Sequence, residues 1–210
     1  MRVSELVARS GVPLATVKYY LREGLLMPGE ATSATQARYG EEHVRRLGLI
    51  KALASAGLPI PRIREILRLV DDPQGPLFEV LGKAIAQLPP YLEPVEGEDY
   101  PRARAVLERL GQVYDPRYAA VGQLERALEA LEEAGIPMTD QRLDAYGRHI
   151  RGLAEIDIGL MPTAPAEDVI RYAVLGTAIY EPVIAAMRRL AHQDLAAQKF
   201  LHSTDGQDQQ

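Results

Sequence analysis

Apolar positions recur at helical spacing through most of the chain, and the places where that spacing fails are as informative as the runs. A short periodic stretch at residues 4–9 closes at Gly11, and a second, residues 13–23, stops at Gly24. Within the second, Leu14, Val17 and Leu21 fall at i, i+3 and i+7 and predict one buried stripe. The opposite face carries Ala15, Lys18, Tyr19 and Arg22, with Thr16 and Tyr20 at its edges. Residues 25–40 lose the helical period and fill with Gly, Pro, Ser, Thr and Ala, which predicts a β-hairpin or a loop with two short strands. Helical spacing returns at 41–56, ended by Gly57, and at 61–70, where Pro61 suits a first turn.

The breakers Asp71, Asp72, Pro73, Gly75 and Pro76 mark a boundary. Beyond it Leu77, Phe78, Leu81, Ala84, Ile85 and Leu88 repeat the helical pattern until Pro89 and Pro90 stop it. Residues 92–100 are acidic and contain Pro and Gly, so a loop is expected. Helices are then expected near 101–112, 116–134, 139–160 and 165–200, the last kinked or split at Pro182. The expected fold is mainly α: a small domain with a β-hairpin at 1–72, an all-helical domain at 77–201 and a disordered polar tail at 202–210.

Composition narrows the classes of function. Hydrophobic residues make up 47% and charged residues 25%, which excludes a fully disordered chain. No uninterrupted apolar run reaches the roughly 18 residues of a membrane span, and residues 1–9 lack a secretion-signal pattern, so a cytoplasmic protein with no membrane partner is expected. Cysteine is absent, which removes disulfides, thiolate metal sites and a cysteine nucleophile together. The four histidines, His43, His149, His192 and His202, show no ligand spacing, so neither a metal nor a cofactor is expected. With no nucleophile elbow, phosphate loop or carboxylate-plus-base constellation, an enzyme is not expected either. Charge is uneven: residues 1–70 hold 11 Lys+Arg against 6 Asp+Glu, whereas the rest holds 13 against 23. A basic first third on an acidic remainder suits contact with a polyanion.

The outer face of residues 13–23 is small, basic and aromatic, a chemistry suited to a helix lying in a major groove. The surrounding string is more specific. Ser4-Glu5-Leu6, Ser10-Gly11-Val12 and the run from Val17-Lys18-Tyr19-Tyr20 to Leu26 are followed in order by Arg38-Tyr39, His43 to Leu47, Ile50-Lys51 and Gly57 to Ile60. Over residues 1 to about 70 the chain resembles the DNA-binding domain of the MerR family of bacterial transcription regulators. The resemblance implies a winged helix-turn-helix, a homodimer on near-palindromic double-stranded DNA, and RNA polymerase as a further partner.

The resemblance also assigns residues. Tyr19 and Tyr20 match the family's paired tyrosines, which touch DNA backbone and bases. Lys18 stands where Arg is usual, keeping charge but losing bidentate recognition of guanine. Thr16 and Arg22 complete that face. In the wing, Ala37 replaces the usual Arg and the basic residue is Arg38, one place on, where a strand reverses its face. For the helical part the leading expectation is a small organic effector between helices, with Tyr146, Tyr172 and Tyr180 lining its pocket. The alternative is an effector-independent architectural protein whose helical part only dimerises, through the 77–88 helix or the Leu124, Leu128, Leu131 stripe.

Overall fold

The computed structural model describes residues 1–33, 36–89, 97–136 and 138–200; the tail expected at 202–210 lies outside them. Two short helices open the chain, α1 (Val3–Ser10) and α2 (Leu14–Arg22), joined through Gly11. Gly11 takes φ 63°, a left-handed conformation that closes the turn with its N–H donating to Val7 O at 3.0 Å. An antiparallel hairpin follows, β1 (Glu30–Ser33) and β2 (Gln36–Arg38), pairing Glu30 with Arg38 and Ala31 with Ala37, with a register shift between Ala31 and Ser33. At its base, a Cβ on Gly29 would stand 2.7 Å from Arg38 O, so only glycine lets the strands meet. Helices α3 (Glu41–Ser55) and α4 (Ile60–Asp71) complete the first part.

The second part is helical among its described residues: α5 (Leu77–Ile85), α6 (Pro101–Arg109), α7 (Ala119–Glu133), α8 (Asp140–Gly159) and α9 (Ala166–Phe200). The expected break at Pro182 does not divide α9, which runs through it as one helix. A proline removes its own N–H from the ladder and crowds the carbonyl four residues back, and the helix on either side, within the 35 residues of α9, absorbs that loss.

The main core holds Leu6, Val17, Leu47, Ile50, Leu53, Ile63 and Ile66, all fully buried. It does not end at the breaker cluster. Val80 and Ala84 of α5, Leu88, and Ile170 and Val174 of α9 close the same cluster. Of the expected 77–88 dimer stripe, Ala84 and Leu88 are buried within the chain, whereas Leu77 and Phe78 remain exposed, at 37% and 83%. A second, much smaller cluster joins Tyr100, Ala103 and Val121 between α6 and α7, with Leu124 packed against it. Leu128 of that other expected dimer stripe is also buried. Helix α8 is tied to α6 by Arg109, which donates to Asp144 Oδ1 and Oδ2 at 2.7 and 2.8 Å and to Asp140 at 2.8 Å.

Helix α9 is long and apolar enough, by length and composition, to cross a bilayer. Charges at Arg171, Glu181, Arg188 and Arg189 interrupt its apolar residues, so it contains no unbroken apolar run of that length. Its first turns, through Val169, Ile170 and Val174, are buried against the rest of the protein.

Candidate nucleic-acid interface

Helix α2 has two faces, but not along the line its spacing predicted. Val17 and Tyr20 are buried and Leu21 is half-buried, whereas Leu14 is 42% exposed. Val12, just ahead of the helix, fills the place expected for Leu14. Tyr20 therefore leaves the outer face it was expected to edge, and its ring belongs to the core at 8% exposure. It supports Tyr19 from beneath, ring centroids 5.8 Å apart and tilted by 54°.

What remains outside is Ala15, Lys18 and Arg22, all exposed, with Thr16 and Tyr19 half-buried beside them. The Arg22 guanidinium lies 5.3 Å over the Tyr19 ring, which holds a planar cation against the helix surface. Glu23, the acidic residue at the end of this face, is drawn towards Arg64 at 3.3 Å and Arg22 at 3.7 Å. Among the described residues Lys18 makes no ion pair. In the wing, half-buried Ala37 packs on the core and Arg38 is exposed. The one-residue shift relative to the resembled pattern thus leaves the basic side chain pointing away from the packed side. Of the wing-tip residues, Thr32 donates to Gln36 O at 3.2 Å; Thr35 lies outside the described residues.

Two groups that periodicity could not reveal hold helix and wing in place. Arg46 donates from Nε to Leu25 O at 2.8 Å and clasps Asp71 with both terminal nitrogens at 2.5 and 2.7 Å. One side chain, 11% exposed, thereby fixes the segment leaving α2, helix α3 and the end of α4. His43, 4% exposed, accepts from Gly40 N–H at Nδ1, 3.0 Å away, while its Nε2 faces Pro28 O at 3.4 Å. Tyr39 packs edge-on against that ring at 5.1 Å. Both strands' flanks therefore meet on one histidine at the start of α3. Arg9 and Glu41 form a bidentate pair linking α1 to α3, and each shifts the other further into its charged form.

A profile described as MerR HTH family regulatory protein matches residues 1–69. A solved structure from Streptomyces coelicolor A3(2), described provisionally as a transcriptional regulator, matches with a TM-score of 0.69 at 33% identity, over 95% of this chain and 98% of that one. Residues 1–69 are a helix-turn-helix domain of the MerR family. The mercuric resistance operon regulatory protein of Pseudomonas fluorescens is 36% identical over 62 residues, 30% of this chain and 43% of that protein. The ZntR-homologue transcriptional regulator of Haemophilus influenzae is 30% identical over 69 residues, 33% of this chain and 51% of that protein. The nodulation protein NolA of Bradyrhizobium is 29% identical over 135 residues, 63% of this chain and 52% of that protein. The chain spans about half the length of the curated relatives it matches. The Pseudomonas and Haemophilus relatives are described as regulators.

Beyond the MerR domain, a 440 Å³ groove opens on the first half of α9. Tyr172 and Tyr180 form two of its walls, Gly176 lies midway between them, and Leu175, Ile179 and Pro162 complete the apolar lining. An ion pair between Asp168 and Arg171 sits at its rim. Loss of solvation raises the Tyr172 hydroxyl above the usual tyrosine range, with Tyr180 and Asp157 adding to the effect. The groove unites two of the three tyrosines expected to line a pocket. Tyr146, exposed on α8, is not among its lining residues. Among the described residues no group of three His, Cys, Asp or Glu could hold a metal ion.

Proposed function

We propose that this protein is a DNA-binding transcription regulator that acts as a homodimer on a near-palindromic site and is gated by a small organic ligand. The observation that carries the reading is the exposed Lys18, Tyr19, Arg22 face of α2 beside the exposed Arg38 of the wing, within a MerR domain. Helix α2 enters the major groove, where Lys18 and Thr16 reach base edges and Tyr19 and Arg22 hold phosphates. Arg38 holds backbone on the flanking side, while Tyr20 sets the helix from below. RNA polymerase is the downstream partner, and the cytoplasm is where such a regulator meets DNA. The 77–201 part carries dimer and effector functions.

The groove on α9 favours gating over a purely architectural role. Its volume lies within the roughly 300–1,000 Å³ typical of small-molecule sites, with apolar walls and few polar groups. A neutral or cationic aromatic ring fits a slot walled by two tyrosines over a glycine. Because Ile170 and Val174 of the same helix close the core beneath α3 and α4, a ligand moving α9 is felt at the DNA-facing part.

Selection of binding sites from a random duplex library by the full chain tests the reading. A single enriched motif with two half-sites about one helical turn apart is expected. A lone asymmetric half-site, or no enrichment above random duplex, would contradict it. With the selected duplex, a screened compound should change affinity in the wild type and not in Gly176→Val, which fills the slot. Binding that no compound changes would leave the architectural alternative.

A further inference from the structure

The exposed face of α2 changes character along its length. Counted at about 100° per residue, Leu14, Lys18, Arg22, Ala15 and Tyr19 fall within an arc of roughly 140°. The later turns of that arc carry the two cations and the tyrosine. Its first turn offers only hydrocarbon, in Leu14, 42% exposed, and Ala15, also exposed. Val12, just ahead of the helix, fills the core, so Leu14 is a large apolar side chain that the fold leaves outside. The wing offers little help in reading bases. Between Arg22 and Arg45 the sequence has one Lys or Arg, Arg38, and the register of the hairpin sets Glu30 directly across from it. Opposite charges facing each other across two strands attract, so the wing brings little net charge to a duplex and base reading falls to α2.

We infer that the first turn of α2 reads thymine by its 5-methyl group, each half-site holding an A·T pair contacted by Leu14 and Ala15. The inference rests on the reading of α2 as the helix in the major groove and names the base recognised there. Thymine is the one base whose major-groove edge carries an apolar group. Every other edge presents only donors and acceptors, which leucine and alanine strip of water without replacing the hydrogen bonds. Small Ala15 lets the helix approach the floor of the groove, and Leu14 covers the methyl from beside it. Charge names the occupant of this patch. Lys18 and Arg22 continue the same face, which suits an apolar spot on a polyanion, and on duplex DNA that spot is the thymine methyl.

Fluorescence anisotropy of the full chain on the duplex it selects from a random library, with each thymine replaced in turn by uracil, provides the test. Uracil keeps the base pair and O4 and removes only the methyl. One thymine position in each half-site should lose about fourfold in affinity, the fold-change of leaving one methyl-sized group unburied, and every other position less than about 1.5-fold. In the double variant Leu14→Ser, Ala15→Ser, changed at two exposed positions, thymine and uracil duplexes should bind alike, with helix content as in wild type. The uracil scan on wild type decides by itself if the double variant binds too weakly to measure. No enriched duplex at all would overturn the reading of α2 as a DNA helix, and this inference with it. An enriched motif in which no uracil weakens binding would overturn the thymine contact and leave that reading standing. So would a loss at uracil that persists undiminished in the double variant.

Discussion

The two ends of this molecule use apolar residues differently. In the first 88 residues most large apolar side chains are buried in or packed against one cluster, Phe78 at 83% exposure being the main exception, and α9 adds Ile170 and Val174 to it. From residue 100 on, the buried clusters are small, and Ile150, Ile156, Ile158, Leu160, Met187 and Leu190 stand 58–69% exposed. Helical spacing of apolar residues runs through both. Amphipathic spacing therefore announces that a face will be covered without saying what covers it. In the first part the cover is the chain itself; in the second the described residues leave much of that face open.

The sharpest way to break this comparison is truncation of one residue from each part. Leu47→Ala, at a fully buried position, should lower unfolding free energy by about 2–5 kcal/mol. Ile156→Ala, at 60% exposure, should change it by less than about 0.5 kcal/mol in dilute protein. Urea titrations of both variants decide. Similar losses would mean that the second part is as self-sufficient as the first.

Arg46→Ala tests whether the first part is also held by polar clasps. Leu25 O loses its donor and Asp71 its partner, and about 1–3 kcal/mol of stability should go with them. Arg46→Lys cannot span both and should recover less than half. A shift in thermal midpoint within error for Arg46→Ala would make the clasp ornamental.

The smallest effect expected is with pH. Arg109 holds the Asp144 carboxyl below its ordinary range, chiefly through their hydrogen bonds. A carboxylate whose folded pKa is depressed contributes stability above its unfolded pKa and loses it as pH falls through the folded value. Acidification below about 4 should therefore loosen α8 from α6 before the first part unfolds. Hydrogen exchange localised to α8 would show it; exchange rising equally everywhere would not support a separate clasp.

How much of this was legible in the sequence varies with the interaction. Gly11, Gly24 and Gly57 placed the turns, and the breakers placed the helices, because those signals are local. The buried stripe of α2 was misread because Leu14 and Tyr20 differ from Val17 by the same three residues in opposite directions; tertiary packing, not period, chose Tyr20. The Arg46 clasp was invisible because its partners lie 21 and 25 residues away. Tyr172 and Tyr180 could be placed together because both lie on one helix. Tyr146 could not, because its distance from them depends on how α8 meets α9.

The account stands on one face of α2. Fluorescence anisotropy of wild type and Lys18→Ala on the selected duplex, over a range of salt concentrations, tests it most directly. Loss of one phosphate-neutralising or base-reading cation should weaken binding by about 1–3 kcal/mol and lower the slope of log affinity against log salt by up to about 0.9. Urea stability should not change, since Lys18 is exposed. Unaltered affinity and slope in Lys18→Ala, with Arg22→Ala equally silent, would show that DNA meets another surface of the protein.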